Sequence, residues 1–177
     1  MARPPVPVQE GGLAGNEGKW RAVLKHFTGT HDHKIDDKGR VSLPSEFRRV
    51  LNSVGSEDAL YIVPQLDDPR AHVVFTTEAY SRLIDRHNEQ DYASLRAQQR
   101  MEAKLITRAK QVQVDDTGRI VVSKDLREMI GLGKLVRFVG NASSFEIWQP
   151  EARAAFEIDL AEDDADEPIH INRRGLH

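Results

Sequence analysis

The chain has 177 residues, of which 39% are hydrophobic and 30% charged, with a formal net charge of −3 and no cysteine. A length of this order holds one domain or two small ones, and the absence of thiols excludes disulfides, thiolate zinc sites, iron–sulfur clusters and a cysteine nucleophile. No apolar run reaches the roughly 18 residues of a membrane helix, and the opening residues lack the apolar core of a signal peptide, so a cytoplasmic protein is expected. The charge is unevenly placed: from Glu151 onward 8 acidic residues face 3 arginines, which leaves residues 1–150 at +2.

Residues 1–26, with Pro4, Pro5, Pro7, Gly11, Gly12, Gly15 and Gly18, offer too little apolar surface to order themselves and are expected to form a disordered extension. Folded structure is expected from about Phe27 to about Ile158. A first strand ends at Ile35. It carries His31 and His33, but two histidines lack the remaining ligands of a metal site, so none is expected. Asp36-Asp37-Lys38-Gly39-Arg40 is a tight turn, in which Gly39 supplies a positive φ and the aspartates bond backbone N–H groups. Val41 and Leu43 then fall on one face of a second strand, so the two strands read as a hairpin. Pro44 suits the start of a short helix whose Phe47, Val50 and Leu51 stand at i, i+3 and i+4. Leu60–Val63 and Val73–Phe75 flank a polar loop as a second hairpin. Glu78-Ala79 opens a helical region over residues 77–107, with Tyr80, Leu83, Ile84, Leu95, Met101 and Leu105 among polar residues, a break at Asn88–Asp91, and arginines on a solvated face.

The same order then returns. Val114-Asp115-Asp116-Thr117-Gly118-Arg119-Ile120-Val121-Val122 repeats Ile35–Leu43 after 79 positions, and residues 114–130 align with 35–51 without a gap. Asp36/Asp115, Asp37/Asp116, Gly39/Gly118, Arg40/Arg119 and Arg48/Arg127 are identical. The second short helix should bury Leu126, Met129 and Ile130 and end at Gly131. Gly131-Leu132-Gly133-Lys134 is a turn, since it lacks the spacing of a phosphate loop. Leu135–Val139 and Phe145–Trp148 form the second copy's other hairpin, with Phe145-Glu146-Ile147-Trp148 as core or subunit interface. A helix enters at Glu151-Ala152, and Glu162–Glu167 reads as a solvated acidic tail. Each copy, at about 45 residues, is too small for a comfortable core of its own, so the two are expected to interlock as one pseudo-symmetric domain. The expected division is an extension over 1–26, a first repeat over 27–76, connecting helices over 77–107, a second repeat over 108–150, and a C-terminal helix with an acidic tail over 151–177.

The hairpin Asp36-Asp37-Lys38-Gly39-Arg40, followed by Val41-Ser42-Leu43-Pro44 and Phe47-Arg48, resembles the AbrB-like swapped-hairpin fold. Two copies in one chain, opened by Phe27-Thr28-Gly29 and closed by Val139-Gly140 and Phe145-Glu146-Ile147-Trp148, resemble the MraZ family of bacterial regulators over about residues 27–156. The resemblance implies an α+β fold: two tandem AbrB-like β-hairpin/short-helix repeats in a pseudo-symmetric double-psi or swapped-hairpin-like barrel, with flanking helices. It also implies a DNA-binding transcriptional regulator of the division and cell-wall gene cluster. Such a protein binds G-rich direct repeats of double-stranded DNA in its own promoter as a ring homo-oligomer, and is cytoplasmic and associated with the nucleoid. No cofactor, small-molecule substrate or membrane partner is implied. The family's Asp-x-x-x-Arg signature falls on Asp36 and Arg40 and again on Asp115 and Arg119. Two features depart from the pattern: the family usually begins near what is here Phe27, and Ser123 stands where the first copy has Pro44.

Lys34, Lys38, Arg40, Arg48, Arg49 and Arg119 are the candidate DNA-binding residues, while Asp36, Gly39, Asp115 and Gly118 form the structural motif. An arginine four residues after an aspartate can simply hold the turn, but a guanidinium anchored in that way is also a preorganised donor fork for phosphate or for guanine. Thr117 replaces Lys38 and Glu128 replaces Arg49 in the second copy. The first copy is therefore expected to make most of the DNA contacts and the second to serve packing or oligomerisation. A competing reading is an antitoxin-like protein-interaction module built on the same fold, in which the acidic C-terminus wraps a partner. An enzyme is not expected, since no acid–base pair or nucleophile with its base emerges.

Overall fold

The computed structural model describes residues 26–55, 59–66 and 68–166. The extension over residues 1–25 and the end of the acidic run at Glu167 lie outside them. In chain order the elements are β1 (Thr30–Lys34), β2 (Arg40–Ser42), α1 (Ser45–Ser53), β3 (Ala59–Pro64), β4 (Ala71–Thr76), α2 (Thr77–Glu89) and α3 (Leu95–Glu102). A π-helical turn (Ala103–Thr107), β5 (Lys110–Gln113), β6 (Arg119–Val121), α4 (Lys124–Met129), β7 (Leu135–Asn141), β8 (Ser144–Trp148) and α5 (Pro150–Asp166) follow among the described residues.

The strands do not pair as two local hairpins per copy. Each Asp-x-x-Gly turn reverses the chain, but Ile35–Val41 is a single bridge, and the flanking strands then part. β1 pairs with β7, β5 pairs with β3, and β2 pairs with β6, all antiparallel. The first and second strands of each copy thus find partners in the other copy, which is the swapped-hairpin arrangement. The six-stranded sheet runs β1-β7-β8-β4-β3-β5, with β2-β6 as a separate two-stranded ribbon. Exchanging β1 with β5, β3 with β7 and β4 with β8 reproduces the order read backwards. A pseudo-twofold axis therefore passes between β4 and β8 and between β2 and β6.

Period-2 apolar positions drive the exchange. Val41 and Leu43 from the first copy and Ile120 and Val122 from the second are all buried, under the ribbon and against the sheet. Pairing β2 with β6 seals the four in one core with Phe47, Val50 and Leu51 of α1 and Leu126 and Ile130 at α4. Met129, which the helical spacing groups with Leu126 and Ile130, is instead 48% exposed. The six-residue α4 is too short to bury more than a narrow stripe. Ser123 makes good the lost proline, because its Oγ accepts the Leu126 N–H and caps α4. Gly131, at φ 63°, ends the helix, and Leu132 N–H reaches back to Arg127 O at 2.8 Å.

The core is not symmetric in content. Phe27, Phe47, Phe138 and Phe145 form a cluster, with Phe47 5.3 Å from Phe27 and 5.0 Å from Phe145 between ring centroids. His31 and His33 lay their rings edge-on against Phe47 and Phe138, and Asp32 between them forms two 2.7 Å bonds with Arg137 on β7. The pseudo-symmetric counterpart of Phe145 is His72. It is buried, and its Nε2 lies 3.0 Å from Leu126 O.

On the opposite face of β8, Glu146 accepts the Trp148 indole N–H at 2.7 Å, and Arg153 of α5 lies over both Trp148 and Phe156. Arg70, in the β3–β4 loop, pairs with Asp68 and reaches Asp159, so the first copy's loop clips α5 down. β8 is buried along its whole length, as expected of core. Helix α5 continues to Asp166, past the expected limit at Ile158. The acidic run through Asp166 is therefore helix rather than tail, with Glu162 exposed. Between the copies, α2 ends at Glu89 and α3 begins after Ser94, which caps it, so the break over 90–94 comes later than the expected Asn88–Asp91 and overlaps only its last two residues.

Truncating the centre of the phenylalanine cluster by Phe47→Ala should cost about 3–5 kcal/mol, read from urea unfolding. A second expectation concerns pH. Burial holds the His72 imidazole below its ordinary value, with the Leu126 carbonyl opposing. The unfolded chain takes up this proton below about pH 6.5 while the folded chain resists it, so stability falls as the pH drops through that value. Asp32, Asp36, Asp68 and Asp115 are all lowered by hydrogen bonds and add a second loss below about pH 4. Melting curves of His72→Leu between pH 8 and pH 3 should lose the upper step and keep the lower.

Candidate nucleic-acid interface

Both Asp-x-x-Gly turns are built alike. In the first, Asp36 Oδ1 accepts the N–H groups of Lys38 and Arg40, each at 2.9 Å, and Gly39 N–H returns to Asp36 O. In the second, Asp115 Oδ1 accepts from Thr117 and Arg119, again at 2.9 Å, and Gly118 N–H returns to Asp115 O. The bonds from the Arg40 backbone and side chain hold the Asp36 carboxyl below its usual range, and for Asp115 the Thr117 hydroxyl is the largest cause. Both aspartates are ionised at neutral pH.

The turns are locked from across the pseudo-twofold. Gly39 O accepts the Val122 N–H at 2.8 Å and Gly118 O accepts the Leu43 N–H at 2.9 Å, so each copy's turn is held by the other copy's strand. At φ 80° a Cβ on Gly39 would strike the Val122 carbonyl oxygen, and at φ 75° one on Gly118 would strike the Cδ of Arg48. Arg48 lies across the second copy's turn. Its counterpart Arg127 lies across the first, with its Nε buried and without a hydrogen-bond partner among the described residues. The fifth identity of the repeat is therefore a pair of reciprocal covers. Arg127 was not among the sequence candidates, although that identity marked it.

The register of the ribbon decides what it presents. Arg40 stands opposite Val121, Val41 opposite Ile120, and Ser42 opposite Arg119. Paired residues share a face, so Val41 and Ile120 point into the core while Arg40, Ser42, Arg119 and Val121 point out. Arg40 and Arg119 are both exposed, diagonally placed on a single surface. The two copies thus do not present separate motif faces, as the contrast between their charges suggested. Arg40 is anchored by a 2.7 Å bond from its Nε to Asp36 Oδ2, which leaves its terminal nitrogens free to turn outward. The Thr117 hydroxyl takes Asp115 Oδ1 at 2.6 Å, and the Arg119 guanidinium makes no ion pair among the described residues. Lys38 is exposed at the tip of the first turn, next to Arg40. Lys34 on β1 and Arg49 on α1 are exposed but stand off the ribbon, and Arg49 lies 3.7 Å from Glu46. No cluster of three or more metal-ligating side chains occurs among the described residues.

Two strand-exchanged copies closing on an arginine-bearing ribbon define a tandem AbrB-like protein in a single chain. The family model described as "MraZ protein, putative antitoxin-like" matches residues 26–61 and 105–170. The chain is 32% identical over 136 residues to the transcriptional regulator MraZ of Parvibaculum lavamentivorans, covering 77% of this chain and 83% of that protein. The transcriptional regulator MraZ of Rhodospirillum rubrum gives 32% over 136 residues, covering 76% and 86%, and that of Azorhizobium caulinodans 32% over 155 residues, covering 86% and 92%. The chain belongs to the MraZ family of transcriptional regulators. Its relatives carry the names of regulators, not of enzymes.

The different surroundings of the two turn glycines give a test of the reciprocal lock. Gly39→Ala meets fixed backbone and should cost about 2–4 kcal/mol, whereas Gly118→Ala meets a movable arginine side chain and should cost about 1–2 kcal/mol. Equal losses in chemical denaturation would contradict this geometry.

Proposed function

We propose that the protein is a sequence-specific DNA-binding regulator whose reading surface is the outward face of the β2–β6 ribbon. The observation that carries this reading is the register, which brings the signature arginine of each copy onto one exposed two-stranded surface. A two-stranded ribbon has the width to enter the major groove of B-DNA, and arginine is the side chain best matched to guanine O6 and N7. Lys38 adds phosphate attraction at one end of the ribbon, and Lys34 and Arg49 flank it. Arg48 serves chiefly to cover the second turn and contributes charge beside it. In this reading the target is the G-rich direct repeats in the protein's own promoter, upstream of division and cell-wall genes, as the family resemblance implies, and the protein associates with the nucleoid.

Charge also argues for assembly. A subunit that neutralises two or three phosphates gives a salt slope of about −2 to −3, which is weak binding at cellular ionic strength. Several ribbons in a ring, meeting successive repeats, raise affinity by roughly 10² to 10⁴ through effective concentration. Leu95, Ile106, Leu135, Ile158 and Leu160 are exposed apolar residues that subunit contacts would cover. The antitoxin-like alternative rests on the acidic C-terminus, but through Asp166 that run is part of α5 rather than a free wrapping segment.

Gel-shift titration on the DNA upstream of the protein's own gene, at two salt concentrations and alongside light scattering, tests the reading. Arg40→Ala and Arg119→Ala should each weaken selective binding by about 5- to 150-fold, while Lys38→Ala should weaken all sequences alike and reduce the salt slope by about 1. Full promoter-selective affinity in both arginine variants would refute the ribbon as the reading surface.

A further inference from the structure

The ribbon has a pseudo-twofold axis through its centre, and so does the major groove at any base-pair step. A ribbon with identical halves would dock equally well in two directions related by a half-turn, because Arg40 and Arg119 would simply trade places. Any non-palindromic site tells these two directions apart, so a ribbon that reads one in a single direction needs a chemical difference between its halves. The outward face carries four residues, of which two are arginines at equivalent positions of the repeat, Arg40 held by Asp36 and Arg119 without such an anchor among the described residues. The other two, Ser42 and Val121, occupy equivalent positions of the repeat and differ in chemistry.

Resting on the DNA reading above, we infer that Ser42 and Val121 set the direction in which the ribbon lies on its site, with Val121 contacting a thymine methyl group. Val121 is 50% exposed in the middle of an arginine-bearing face, although its neighbours Ile120 and Val122 are fully buried. An aliphatic β-branched side chain left half exposed in that place lies outside the core and complements the one apolar feature of the major-groove edge, the thymine C5-methyl. It stands directly opposite Arg40, so the half-site under that pair holds guanine beside thymine. The other half pairs Arg119 with Ser42, whose hydroxyl donates or accepts and is tolerant of either base pair. Lys38, against Thr117 in the other turn, adds a phosphate contact on the Arg40 side and reinforces the same direction.

The chain has no cysteine, so a single introduced one can carry a cleaving reagent. An iron–EDTA group on Asp37→Cys, at the tip of the first turn, reports which side of a bound site that turn occupies. Random-sequence duplex selection, followed by cleavage of the selected DNA, is run with the wild-type face, with Val121→Ser and with Ser42→Val. The wild-type face should select an asymmetric site and cut on one side of it. Val121→Ser and Ser42→Val, which equalise the halves, should select more symmetric sites and cut towards both sides. Deoxyuridine in place of the thymine beside guanine should weaken the wild-type face about three- to fourfold, as loss of one buried methyl contact requires, and leave Val121→Ser unaffected. If both variants keep the wild-type motif and one-sided cleavage, the inference fails while the DNA reading stands. If the wild-type face enriches no sequence, the DNA reading fails and takes the inference with it.

Discussion

Two backbone hydrogen bonds, Leu43 N–H to Gly118 O and Val122 N–H to Gly39 O, stand at the centre of this structure. Each joins the strand end of one copy to the turn of the other, both turns hold a glycine at positive φ, and at Gly39 the missing Cβ also leaves room for the close approach of the Val122 backbone. Remove the approach and β2 and β6 cannot pair. Without that pairing Val41, Leu43, Ile120 and Val122 have no common interior, and the arginines that follow the turns have no shared face. The surface and the core are opposite sides of one three-residue pairing.

The reciprocal covers extend the same dependence. Arg48 and Arg127 sit on helices that bury their own apolar stripe against the ribbon, yet each side chain lies on the other copy's turn. Neither turn is finished by its own repeat. The Arg127 Nε is buried and has no hydrogen-bond partner among the described residues, so it serves this packing as a cover over the turn rather than as a donor.

Much of this was legible in the residues. Alternating apolar positions named the buried side of β2 and β6 because one face of each strand meets a core. The Asp-x-x-Gly spacing named the turns because only glycine accepts that backbone and only a short acidic side chain reaches those N–H groups. The partner of each strand was harder, since the two copies have nearly the same strands and local pattern does not say which of two similar partners wins; the swap came from family resemblance. Met129 and Asp163–Asp166 failed for the opposite reason, because helical periodicity and charge composition report tendencies that helix length and docking override. At the ribbon, sequence named the arginines and missed Val121, whose exposure depends on register alone. It also set the two copies apart by charge, whereas pairing across the pseudo-twofold merges their signature residues into one surface.

The helical connection over residues 77–107 has a consequence of a different kind. Strand-exchanged folds assembled from two separate chains come apart on dilution and can trade halves with any sufficiently similar chain. Here the second half is tethered at a fixed effective concentration, so closing the strand exchange is an intramolecular step that dilution does not reverse. The tether also seals each half against subunit exchange with paralogues, and leaves the two free to drift apart in sequence without ever having to recognise a copy of themselves.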